Sequence, residues 1–166
     1  MNNSFALLFF MLILMASCTS YQVDRQLKDI ESYIQDRPDS ALTVLEDIDR
    51  TTLRSKRNKA HHALLHAMAL DKNYIDVSDD SIARVAVDYF YTKGPEKYKA
   101  RSLYYLGLAY YYQGEYNKAI VELTKAEEVA EVVATETVAA ETKKSSQPFS
   151  ATKALNASTS TSSSSR

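Results

Sequence analysis

Apolar residues recur along the middle of this chain at the spacing of one helix face. Val23, Leu27, Ile30 and Ile34 fall at i, i+4, i+7 and i+11, which puts all four in a single stripe and predicts a helix over 22–36. Pro38 follows almost at once. In the first turn of a helix its missing N–H costs nothing, and Asp39 places negative charge at the positive end of the helix dipole. Ala41, Leu45 and Ile48 carry the apolar face onward, so a second helix is expected over 38–49. A link this short folds the two into an antiparallel hairpin. Ala60, Leu64, Ala67 and Met68 form the stripe of a third helix, expected over 52–70, which "DKNYID" interrupts. "SDDS", residues 78–81, reads as an N-cap with acids in the first turn. Ile82, Val85, Ala86, Tyr89 and Phe90 then repeat at i, i+3, i+4, i+7 and i+8, until Gly94 and Pro95 stop the fourth helix. A fifth is predicted over 96–113, a turn at Gly114, and a sixth from Tyr116 past Ala130. Beyond 135 the apolar period is lost. "SSQPFSATKALNASTSTSSSSR" is rich in Ser and Thr and cannot bury enough surface to offset the entropy of ordering. Residues 135–166 are therefore expected to be a low-complexity disordered tail, with "VVATETVAAET" a weak extension of the last helix.

The predicted elements form three helix pairs in tandem, about 22–49, 52–92 and 96–131. Such an array stacks into a solenoid whose pairs bury their faces against each other. Composition agrees: 166 residues with three Gly and three Pro do not make a turn-rich β protein. A net charge of -1 offers no broad basic surface, which argues against a nucleic-acid partner.

The first residues stand apart. "FALLFFMLILMAS", residues 5–17, is an uncharged apolar run, too short for the ~20 residues of a membrane-spanning helix and of the length of a signal-peptide core. It ends at Cys18, the chain's one cysteine. "LMASC" resembles the lipobox of bacterial lipoproteins. That resemblance implies a signal peptide over 1–17, lipidation at Cys18, a short lipidated tether over 18–21, and a protein anchored to a membrane of the bacterial envelope, facing the periplasm. Several acyl chains anchor stably where one does not. An ordinary signal peptide with an incidental cysteine, or an uncleaved anchor, are the other readings of the same run.

"LYYLGLAYYYQGEYNKA", residues 103–119, sets six tyrosines around two glycines. With its flanks, "ARSLYYLGLAYYYQGEYNKAIVELTKAEEVAE" resembles a tetratricopeptide repeat (TPR), a unit of ~34 residues. Leu103, Leu106, Gly107, Tyr110, Gly114, Tyr116, Ala119, Leu123 and Ala126 carry the match; Glu131 stands in the usual proline slot. With the "PDSAL" segment and the lipobox, the chain is similar to TPR lipoproteins and sensor ectodomains of Bacteroidetes-type bacteria. The resemblance implies an all-α fold over 22–134, a short right-handed superhelix of about three antiparallel pairs. It assigns Leu103, Leu106, Gly107, Tyr110, Tyr116, Ala119, Leu123 and Ala126 to packing between helices. It implies a concave groove for a peptide or partner protein, lined by Arg101, Tyr104, Leu108, Tyr111 and Tyr112. A carboxylate-clamping groove uses Lys, Arg and Asn on this face; here the slots hold Tyr104 and Leu108 with Arg101 the one cation nearby, so an apolar or aromatic peptide is the expected ligand. Tyr suits that task, with large apolar area, few rotors and a hydroxyl that tolerates water. The end near Val132 and Val133 has no polar cap, which leaves self-association open. A second reading of the whole is the leading fragment of a longer TPR sensor whose output module lies elsewhere.

No enzyme chemistry emerges. His62 and His66, four apart, share a helix face and could ligate zinc, but no third ligand or HExxH glutamate accompanies them. They read, with His61, as a partly exposed polar edge. "DVSDD" lacks the glycine and distal glutamate of a calcium loop. Neither a glycine-rich phosphate loop nor a GxSxG elbow is present. Catalytic, metal and cofactor sites are all expected to be absent, and "RSKRNK", residues 54–59, is expected to be a solvated face.

Overall fold

A computed structural model of the protein describes residues 21–77 and 79–145, with side chains to 137. The leader, Cys18 and the tail from 146 lie outside the described residues. Among the described residues six α-helices follow one another: α1 (21–33), α2 (Pro38–Asp47), α3 (Lys56–Lys72), α4 (Ser81–Phe90), α5 (Glu96–Tyr112) and α6 (Tyr116–Ser145). Consecutive helices pack antiparallel, as their short links require. Residues through Glu131 form one compact unit, and a second begins at Val132.

The stripes read from the sequence are the core. Leu27, Ile30, Ile34, Leu45 and Leu64 are all but inaccessible, each stabilising the fold by roughly 1.5–3 kcal/mol relative to an exposed side chain. α3 is the central element, packed against α2, α4 and α5. It is accordingly buried on more than one side, from Ala60 through Leu65 and again from Ala67 through Ala69. Four of those residues are alanines, which let three neighbours approach one axis.

α3 starts four residues later than the apolar pattern predicts. Asp49 accounts for the difference. Its carboxylate accepts the Thr51 N–H at 2.9 Å and the Thr51 hydroxyl at 2.7 Å, winding Arg50–Thr52 into a 3-10 turn. Ser55 then caps the helix, its hydroxyl accepting the Asn58 N–H at 3.0 Å. At the far end of the chain α6 continues to Ser145, past the expected boundary at 135. Ala, Glu and Lys in "ATETVAAETKK" have high helix propensity, and Thr135 and Thr137 bond back to the Val132 and Val133 carbonyls without leaving the helix.

α5 and α6 meet where the glycine pattern predicted. A Cβ on Gly107 would stand 2.7 Å from Leu123 Cγ and 3.2 Å from the Leu123 backbone N. Leu103, Leu106, Gly107, Tyr110, Ala119 and Ala126 are buried and Leu123 partly so. Tyr116 departs from the expected packing set. It is 59% exposed, and its ring leans edge-on against Tyr111, centroids 5.7 Å apart. As the first residue of α6 it sits at the hairpin tip, beyond the reach of the helix pair's interior; Ala119, one turn on, is the first α6 residue to enter it.

Candidate functional site

Helices α1, α3 and α5, the first member of each hairpin, converge on one side chain. Glu31 lies at the flank of the α1 stripe, next to Ile30. Its Oε2 accepts from the Tyr98 hydroxyl at 2.6 Å and from His61 Nε2 at 3.2 Å. Its Oε1 accepts from Arg101 at 3.2 Å and from Lys97 at 3.3 Å. His61 and Tyr98 are themselves buried, their rings 5.1 Å apart. The His61 hydrogen bond, with those of Tyr98 and Lys97, holds the Glu31 carboxyl down to about 2 against the opposing effect of burial. Tyr98 is pushed up, by its burial first and then by the adjacent carboxylate. Both carboxylate oxygens are thus occupied, and the cluster acts as a clasp on three helices.

Arg101, expected to line a binding groove, is drawn into this clasp. The tyrosines further along α5 are not. Tyr104, Tyr111 and Tyr112 are 44%, 54% and 49% exposed, while Leu108 is half-buried against the core. Tyr104 and Tyr105 pack edge to face, as do Tyr111 and Tyr112. Tyr104 is close enough to Asp71 and Tyr112 to feel both, and its hydroxyl is pushed up mainly by partial burial. The C-terminal ends of α1, α3 and α5 border an open hollow of about 750 Å³, where Gln35, Lys72, Tyr74, Ile75 and Tyr112 meet.

Tyr74 was not legible as a candidate. It is 98% exposed and has φ +57, the left-handed region. The end of α3 explains the dihedral. Tyr74 N donates to Asp71 O, and Ile75 N to Leu70 O, both at 3.0 Å, the closure that lets a left-handed residue satisfy the last carbonyls of a helix. α5 ends the same way, with Gly114 N on Tyr111 O and Glu115 N on Tyr110 O and Gly114 at φ +77. Where α5 uses glycine, α3 holds a tyrosine at a cost of roughly 1–2 kcal/mol and projects its ring at the rim of the hollow. A non-glycine residue in a helix-ending turn is the sequence signal, and the breaker "DKNYID" contained it.

The three histidines are more buried than a polar edge would be. His61 is in the clasp, and His62 donates from Nε2 to Leu45 O at 2.9 Å; only His66 is half-buried. Among the described residues no three His, Cys, Asp or Glu side chains gather into a metal-binding group. Among them, too, no helix is long and apolar enough to cross a membrane. Comparison of the chain with protein-family models, with curated proteins and with solved structures gives no match.

Proposed function

We propose that this chain is a non-enzymatic interaction module of the tetratricopeptide type, a short right-handed superhelix that holds a peptide segment of a partner protein against α1, α3 and α5. The observation that carries the reading is Tyr74. A side chain held in a backbone conformation that glycine would occupy more cheaply, and left almost wholly in solvent, contributes nothing to folding. Backbone strain of this kind clusters where ligands are held. With Tyr112 it borders a hollow that Asp71, Lys72 and Asp76 also line, while Tyr104 and Tyr111 stand exposed on the same helix as Tyr112, rigid rings that suit the aromatic or aliphatic side chains of a peptide. The clasp at Glu31 supports the reading by fixing the three helices that carry those rings.

The test separates binding from folding. A random-peptide display library panned on the full chain is expected to yield sequences rich in aromatic and aliphatic residues. Tyr74→Gly should raise stability by about 0.5–1 kcal/mol, the relief of left-handed strain less the added entropy of glycine in the unfolded chain. The same variant should weaken the selected peptides severalfold. Tyr104→Ala with Tyr112→Ala should weaken them by at least roughly tenfold, each side chain of a hot spot being worth more than about 1 kcal/mol. Equal capture by all three proteins would remove this surface from consideration.

The same reading places the module at the bacterial envelope, held by acyl chains on Cys18 and facing the periplasm. Cys18→Ala, or inhibition of the lipoprotein signal peptidase, should move the protein out of the membrane fraction; unchanged fractionation would exclude the lipid anchor. A second reading, the leading part of a longer sensor, is favoured by α6. Ile120 and Val121 are 63% and 50% exposed, apolar area that a further hairpin, or another copy of the chain, would cover.

A further inference from the structure

A second cavity lies on another side of α3, independent of the tyrosine surface. It is an open cleft of about 400 Å³ bordered by α3, α4 and the 3-10 turn that precedes α3. His62 and His66 line it together, their rings 5.8 Å apart. Burial holds both below the usual imidazole range, so that they are neutral at neutral pH. Because His62 Nε2 faces the Leu45 carbonyl, that nitrogen carries its proton. His66 Nε2 has no such partner: it is shut from solvent and makes no hydrogen bond. A polar atom left this way carries an uncompensated desolvation cost, which a ligand atom would offset.

The rest of the lining specifies the ligand. Arg50 and Lys59 bring two cations, and no residue of the lining is acidic. Arg50 is near enough to disfavour protonation of both rings, while Glu46, outside the cavity, acts on His66 in the opposite sense. Leu53, Ala63, Ile82 and Val85 supply an apolar wall, and Val85 is left 44% exposed. Two cations beside neutral rings disfavour a metal ion, and an apolar wall disfavours a multiply charged anion. We propose that this cleft binds a small carboxylic acid with an apolar body, its carboxylate accepting from Arg50 and, once the ring turns to bring Nε2–H to the cleft, from His66, while the body covers Leu53, Ile82 and Val85. The volume admits a chain of several carbons.

Hexanoate is the probe, with hexan-1-ol and hexylamine as the uncharged and cationic matches. Imidazole nitrogen signals of the full chain are followed by NMR as each is added. Hexanoate should shift the His66 ring saturably, with hexan-1-ol at least about tenfold weaker, the equivalent of one charge-assisted hydrogen bond. Arg50 is exposed, so Arg50→Gln should fold normally and weaken hexanoate by about tenfold. His66→Phe, which removes the nitrogen and fills the space, should abolish the effect. Hexan-1-ol or hexylamine binding as tightly as hexanoate, full affinity in Arg50→Gln, or an unmoved His66 signal would each overturn the assignment.

Discussion

Glu31→Ala is expected to lower stability by about 3 kcal/mol, within the range for removing one partner of a buried charged pair, and to lower the melting temperature by roughly 10 °C. The loss comes from what stays behind. His61 and Tyr98 are buried residues that hydrogen-bond this carboxylate, and truncation removes their acceptor. Lys97 and Arg101 are about half exposed and contribute less, since water replaces the carboxylate for them. Glu31→Gln keeps an acceptor for Tyr98 and should cost less. The effect carries a pH signature. With the carboxyl held at about 2 in the fold against 4.5 when unperturbed, the folded state favours the ionised form. Its contribution is complete above 4.5 and is lost as pH falls from there toward 2. The gap in melting temperature between the wild-type chain and Glu31→Ala should therefore be constant above pH 5 and narrow below it. His62 and His66, also depressed, destabilise both proteins alike as pH drops below 6.5. A gap independent of pH down to 2 would show that Glu31 acts through packing and not through charge.

Gly107→Leu is expected to cost about 1–3 kcal/mol through overpacking. The sharper comparison is Gly107→Ala. In the interior of an ordinary helix that change stabilises by about 1 kcal/mol. Here the new Cβ would meet Leu123 Cγ at 2.7 Å and Cδ2 at 2.9 Å. Those atoms could rotate away, but the Leu123 backbone N at 3.2 Å cannot, so α6 must shift from α5. Urea denaturation should find Gly107→Ala no more stable than wild type, and Gly107→Leu clearly less so. An increase of the full helix-propensity gain in the alanine variant would refute close approach of the two axes.

The helices themselves were legible because each carries its stripe within one turn-to-turn repeat, and Pro38, Gly94 with Pro95, and Gly114 mark the ends locally. Gly107 opposite the α6 stripe was legible for the same reason, the partner helix being one turn away in sequence. Tyr116 was misassigned because periodicity cannot distinguish a residue inside a hairpin from one at its tip. The start of α3 was misplaced because a single carboxylate, Asp49, outcompeted helix propensity over three residues. The buried roles of His61 and His62 were not visible, since a histidine beside an apolar stripe reads as polar wherever its partner is remote.

What the sequence by itself determined is the order of six helices, their antiparallel succession and most of the core, all consequences of spacings shorter than two turns. What only the tertiary structure decided is where the charges and rings go. Glu31 meets Tyr98 and Arg101 across 67 and 70 residues, a pairing no local pattern encodes. Tyr74 is held left-handed because the closing hydrogen bonds of α3 demand that conformation of whichever residue stands there. His66 Nε2 ends buried without a hydrogen-bond partner, an outcome of tertiary packing. Periodicity fixes which face of a helix is apolar; only the stacking of one helix on another fixes what each polar side chain finds beside it.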